Sequence, residues 1–148
     1  MPDHDLDPEQ IHDLRALAGT IIPRSVAYGV PGADDEKIFN DILKSLERDR
    51  GDVCRALAHL ATLSGGAFAE LGPQRRTEVA AAFREVGGPP LAALVRVVLL
   101  CYYRDDRVMR SLGQEPRPPF PKGHVVEQGD WSLLEPVRKR PRLYRVVD

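Results

Sequence analysis

Cysteine is almost missing from this chain: only Cys54 and Cys101 occur in 148 residues. No CxxC pair, no haem-attachment CxxCH and no zinc-type Cys/His spacing can be built from them, so covalent haem and a structural zinc finger are not expected. Both cysteines sit inside helical apolar patterns, where a free thiol packs as a small hydrophobe. A disulfide is the alternative, and it would need their Cα atoms within about 7 Å. Phosphate loops are lacking too. Neither GxGxxG nor GxxxxGKS/T occurs, which removes support for nucleotide sites of those kinds, and the GxSxG context of a nucleophilic serine is absent. The longest apolar stretch is shorter than the roughly 20 residues that a bilayer span requires, so direct membrane insertion is not expected. A surplus of charge is missing as well: 21 basic against 22 acidic residues leave a net charge of -1 and no global pull toward nucleic acid or membrane. The first residues, MPDHDLDPEQ, have neither the basic n-region nor the apolar h-region of an export signal. The expected address is the cytoplasm, or the periplasm if a leader has been removed or a partner supplies one.

What the sequence does contain is helical periodicity. From Pro90 to Asp106, Leu91, Leu94, Val95, Val98, Leu99 and Tyr102 form one helical stripe, while Val97, Leu100 and Cys101 make the other faces almost as apolar. A helix apolar all round is expected to be central and covered on most sides. Before it, Asp7, Pro8 and Glu9 read as a helix start, with Ile11, Leu14, Leu17, Ala18, Ile21 and Ile22 on its inner face and Pro23 as its stop. Residues 24–33 carry loop punctuation, and Asp34 or Asp35 caps a second helix with Ile38, Phe39, Ile42, Leu43 and Leu46 inward. Gly51 and Asp52 open a third, ended by Ser64, Gly65 and Gly66. Phe68 and Leu71 return to the core. Pro73 starts a fourth, with Val79, Ala80, Phe83 and Val86 inward, and Gly87 and Gly88 end it. After Tyr103, one or two short turns place Val108, Met109 and Leu112 inward, with Gly113 as stop. The expected class is all-α: a compact bundle of about five helices around a buried central one over residues 1–113, then an irregular arm over 114–148.

Isolated polar residues do not assemble a site at this level. His12 reads as solvated, and His59 as a helix-edge side chain rather than a base, since no acid or nucleophile pairs with it. The run Asp34 to Glu36 complements a helix N-terminus rather than a metal. Asp105 and Asp106 diverge around a helix and read as a cap. An enzyme using His59, Tyr102 or Tyr103 would lack a second catalytic group at a defensible spacing.

The arm begins with Pro116, Pro118, Pro119 and Pro121, which favour extended chain. It ends in WSLLEPVRKRPRLYRVVD, where aromatic and aliphatic residues mix with Arg138, Lys139, Arg140, Arg142 and Arg145. Two readings stay open for these cations. They keep the arm soluble or pair with acids such as Glu47 and Glu85, or they bind an acidic protein surface, with nucleic acid the less specific possibility. Trp, Tyr and Arg together are the side chains favoured at interface hot spots.

Three stretches carry a family resemblance: LRALAGTIIPR from Leu14 to Arg24, the PGADD segment that follows, and LLCYYRDDRVMRSLG from Leu99 to Gly113. Through the patterns TIIP and YYxDxxVxxxLG, the chain resembles the gluconate 2-dehydrogenase subunit 3 family. The resemblance implies a non-catalytic helical companion of a large flavoprotein of the glucose-methanol-choline oxidoreductase type. That partner would hold FAD and the sugar or alcohol substrate, a cytochrome subunit would take the electrons, and this chain would hold no cofactor and no catalytic residue. Members often begin with a twin-arginine leader, which is not present here, and the arm after Gly113 is longer than the family minimum. On this reading the end of the central helix, at Tyr102, Tyr103 and Arg104, faces the partner. The arm wraps it through the anchors Phe120, Trp131 and Tyr144, with Arg138, Arg140 and Arg142 as cationic contacts. The alternative is a stand-alone helical binding module that uses the basic arm.

Overall fold

Asp7 and Pro8 start the first helix as their chemistry dictates. The Asp7 carboxylate accepts from the Gln10 N–H at 2.8 Å, and Gln10 Oε1 accepts in return from the Asp7 N–H at 3.1 Å, a reciprocal capping box. Pro8 occupies the first turn, where its missing N–H costs nothing. In the computed structural model, which describes residues 6–117, 123 and 125–141, this helix, α1, runs Pro8–Ile21. It is followed by α2 (Glu36–Lys44), α3 (Arg50–Ser64), α4 (Pro73–Val86), α5 (Gly88–Tyr103) and the short α6 (Asp106–Ser111). Single 3-10 turns, Glu47–Asp49 and Phe68–Glu70, precede α3 and α4. Among the described residues there is no strand; Ser25 and Val30 form one isolated antiparallel bridge inside the α1–α2 loop. The protein is an all-α bundle.

The chain divides into two compact units, Met1–Pro116 and Arg117–Asp148. In the first, α5 packs on α3 and α2, α3 also meets α4 and α1, and the Phe68–Glu70 turn lies against α1. Leu14, Ile38, Ile42, Val53, Leu60, Phe68 and Val98 are among the side chains fully enclosed by this arrangement. The link from α4 to α5 is very short and needs backbone that only glycine adopts freely: Gly87 and Gly88 have φ of 64° and 88°. Among its described residues, the second unit holds a 3-10 turn, Trp131–Leu134, running into α7 (Glu135–Arg138). Val125, Val126, Trp131 and Leu133 are all exposed there.

One buried carboxylate seats the Phe68–Glu70 turn. Asp13, 3% exposed on the inner side of α1, accepts from the Ala69 N–H at 2.8 Å, and Arg76 Nη2 from α4 donates to the carbonyl of the same residue. The Ala69 peptide is thereby held from both sides, which drops Phe68 into the core. Leu112 and Val86, both expected inward, are exposed instead. Each stands at a helix end, Leu112 as the C-cap of a six-residue helix and Val86 as the last residue of α4, where the packed face has already run out.

Replacing Asp13 by alanine orphans the buried Ala69 N–H and should lower stability by about 1–3 kcal/mol in urea denaturation. Asp13→Asn keeps an acceptor oxygen and should recover most of that loss. Equal stability of the wild type and Asp13→Ala would show that the pin carries no weight.

Candidate functional site

The two ends of the first unit's sequence meet in a polar interlock. Asp35 caps α2, accepting from Lys37 N at 3.1 Å and Ile38 N at 3.5 Å, and Asp105 caps α6, accepting from Arg107 N at 2.9 Å. One guanidinium joins the two caps. Arg107 donates from Nη2 to Asp35 Oδ1 at 2.7 Å and from Nε to Asp105 Oδ1 at 2.9 Å, with further bonds from Nη1 and Nη2. Lys37 Nζ adds a contact to Asp105 Oδ2 at 3.7 Å. Around this pair lies the rest of the network. Tyr102 donates its phenolic hydrogen to the Pro31 carbonyl at 3.2 Å, Arg15 Nε donates to the Asp34 carbonyl at 3.0 Å, and the Ala33 N–H donates to the Ile22 carbonyl at 2.9 Å. Gly32 is required by close approach, since a Cβ there would lie 2.9 Å from the Arg24 backbone nitrogen.

The stretch PGADD is therefore hydrogen-bonded both to LRALAGTIIPR and to LLCYYRDDRVMRSLG. This reassigns one predicted site residue and gives a second an intramolecular partner. Tyr102, expected to face a partner, is 5% exposed and belongs to the core and the interlock. Arg104 donates from Nε to Asp41 Oδ2 and from Nη2 to Ser45 Oγ, each at 2.5 Å, so it ties the end of α5 to α2 and stands at a rim. Tyr103 is open, 53% exposed, with its ring edge-on to Tyr102 at 5.3 Å, and the Arg104 side chain beside it is also about half exposed.

Tyr103 leads to the face that sequence reasoning missed. The expectation that α5 is covered on most sides does not hold: Ala93, Leu94, Val97, Val98, Cys101 and Tyr102 are buried, whereas Leu99, Leu100 and Tyr103 are exposed. Ala92, Val95, Leu99, Leu100 and Tyr103, together with Arg96 and Arg104, line an open and mostly apolar depression of about 700 Å³. Val95 also lines a second apolar depression, shared with Leu17, Ile21, Ala80 and Leu91, so apolar surface continues from α5 onto α1 and α4. This apolar surface is the exposed side of a helix whose other side is packed into the core.

In the second unit, Trp131 is exposed in a turn capped by Asp130, which accepts from Ser132 N at 3.0 Å. Arg138 pairs with Glu135 at 3.7 Å, and Arg140 is exposed. Phe120, Arg142 and Tyr144 lie outside the described residues.

The remaining polar candidates take structural places. His12 and His59 are exposed, and His59 stands edge-on to Phe83 at 6.4 Å between ring centres. Cys54 and Cys101 do not form a disulfide, and burial pushes both thiols above the ordinary cysteine value, which leaves them protonated and weakly nucleophilic at neutral pH. Among the described residues no group of three or more His, Cys, Asp or Glu side chains is placed to hold a metal ion, and no helix is long and apolar enough to cross a membrane. No family model, curated protein or solved structure matches the chain.

The interlock has an acid-side signature. Hydrogen bonding from Arg107 holds the Asp35 and Asp105 carboxyls below the ordinary aspartate value. Their folded values lie below the unfolded ones, so their contribution is complete above about pH 4 and is lost as pH falls through the folded values. Arg107→Gln should lower stability at pH 7 by roughly 1–2 kcal/mol and narrow the difference between pH 7 and pH 3 urea midpoints. A variant with an unchanged pH profile would remove Arg107 from this role.

Proposed function

We propose that this chain is a non-catalytic small subunit that stabilises, assembles or escorts a large FAD-dependent dehydrogenase of the glucose-methanol-choline type acting on sugars or alcohols. The observation that carries the reading is the open apolar face of α5, ending in Tyr103, on a helix whose opposite face is fully packed. An accessory subunit needs such a face. The resemblance in the three interlocked stretches supplies the identity of the partner, and on this reading FAD and substrate reside in that partner, with a cytochrome subunit accepting its electrons.

A second reading rests on the exposed Trp131, Arg138 and Arg140 of the second unit: a stand-alone binding module that uses this basic segment on an acidic protein surface. Salt separates the two, because a mainly electrostatic contact weakens steeply as ionic strength rises while an apolar one does not.

Co-expression with a large flavoprotein of the glucose-methanol-choline type encoded beside it should yield a complex that survives high salt. Tyr103→Ala and Leu100→Lys should each weaken that complex by roughly tenfold or more, as interface anchors do, with the circular dichroism of the isolated chain unchanged. Arg138→Ala with Arg140→Ala should leave it largely intact. A complex that ignores the α5 variants and dissolves in the arginine variants would favour the basic segment, and failure to capture the flavoprotein at all would sink the first reading.

A further inference from the structure

The outer row of α5 is apolar between two cations and has no acid in it. Ala92, Val95, Leu99, Leu100 and Tyr103 recur at three- and four-residue steps, with Arg96 and Arg104 as the charged side chains lining the same groove. Eight residues separate the two arginines, which is about 12 Å along a helix axis, or roughly two turns. Their carboxylate partners are set back from the groove: Arg96 Nη2 reaches Asp49 Oδ1 at 2.6 Å, where the Asp49 side chain is only 14% exposed, and Arg104 reaches Asp41 on α2. Neither aspartate lines the groove. Arg96 and Arg104 remain about half exposed, and a guanidinium has five N–H donors, more than these bonds use.

An open apolar helix face about three turns long suits an amphipathic helix packed along it, with its apolar row on Leu99, Leu100 and Tyr103. The charge pattern then selects among helices. A second copy of this chain would bring the same two arginines and no carboxylate; with the helices antiparallel and centred near Val97, Arg96 would meet its own copy across an interaxial gap of about 8–10 Å. Like charges there oppose association.

We infer that the outer face of α5 receives a helix of the partner protein whose apolar row is bracketed by acidic side chains seven or eight residues apart, their carboxylates meeting the remaining N–H groups of Arg96 and Arg104. The inference rests on the reading of this face as the docking surface and adds what the docked segment must look like.

The test uses the full-length, isotope-labelled chain and two synthetic amphipathic peptides about five turns long. They share one leucine row and carry either glutamate or lysine at the two bracketing positions. The glutamate peptide should shift the amide resonances of Val95, Leu99, Leu100 and Tyr103 and bind roughly tenfold or more tighter than the lysine peptide. Leu100→Lys should abolish those shifts, and Arg138→Ala with Arg140→Ala should leave them in place. Equal affinity of the two peptides at this face would overturn the acidic bracket while leaving the docking reading intact. Shifts confined to residues 125–141, no shifts with the glutamate peptide, or peptide-free self-association through the same α5 residues would each overturn the inference.

Discussion

A single guanidinium, that of Arg107, holds two helix starts together. Asp35 and Asp105 would each cap a helix without help, but the shared arginine makes the start of α2 and the start of α6 one rigid object. Asp105 is almost fully enclosed, and an enclosed carboxylate is tolerated only where charge-assisted hydrogen bonds, worth about 1.5–3 kcal/mol each, offset its lost hydration. Position follows from that constraint. With α6 fixed against α2, the Tyr102 hydroxyl reaches Pro31, Arg104 reaches Asp41 and Ser45, and the C-terminal end of α5 is set at a fixed rotation about its own axis.

That rotation decides what α5 has left to offer. Its inner row, from Ala93 to Tyr102, is consumed by packing against α3 and α2, and its outer row, from Ala92 to Tyr103, is turned away from them. The stretches that invite a functional reading, PGADD and YYRDDR, are spent on holding the chain to itself. The proposed docking surface begins inside the second of them, at Tyr103, and runs back along α5 through Leu100 and Leu99 to Val95. Motif and surface are linked mechanically, because the interlock fixes the direction in which Leu100 and Tyr103 point.

Much of the fold was legible because its punctuation is local. Asp7 with Pro8, Asp35, and Gly113 mark helix ends through bonds made within a few residues, and the sequence alone carries them. The apolar positions of α1 and α2 were also legible, since each of these helices has a polar side that fixes the phase of its buried one. α5 has hardly any polar side, so its phase was lost: Leu94, Val98 and Tyr102 of the expected stripe are buried, Leu99 of the same stripe is exposed, and Ala93, which the stripe does not include, is buried. Tyr102 and Tyr103 are chemically identical neighbours about 100° apart on a helix, and only the packing of α2 and the loop at Pro31 separates a core tyrosine from an open one. Asp13 was invisible for a different reason, because its partner lies 56 residues away and no local pattern announces a buried acceptor. Signals for the outer face did exist in Leu99, Leu100 and Tyr103. Leu99 and Leu100 were read as covered because apolar residues usually are, whereas Tyr103 was read as partner-facing.

The bond from Arg107 to Asp35 also has a meaning in time. It spans 72 residues, so it closes a loop that includes nearly the whole bundle. Closing such a loop carries a large entropic cost before any contact rewards it, whereas the turns and caps of α1 and α2 form from neighbours in the chain. During synthesis the first two helices leave the ribosome with their latch missing, and Asp35 waits as a helix cap until Arg107 has followed it out. The latch thus joins an element early in the first unit to the last helix of that unit, and the cap at Asp35 gains its guanidinium partner only once residue 107 has been made.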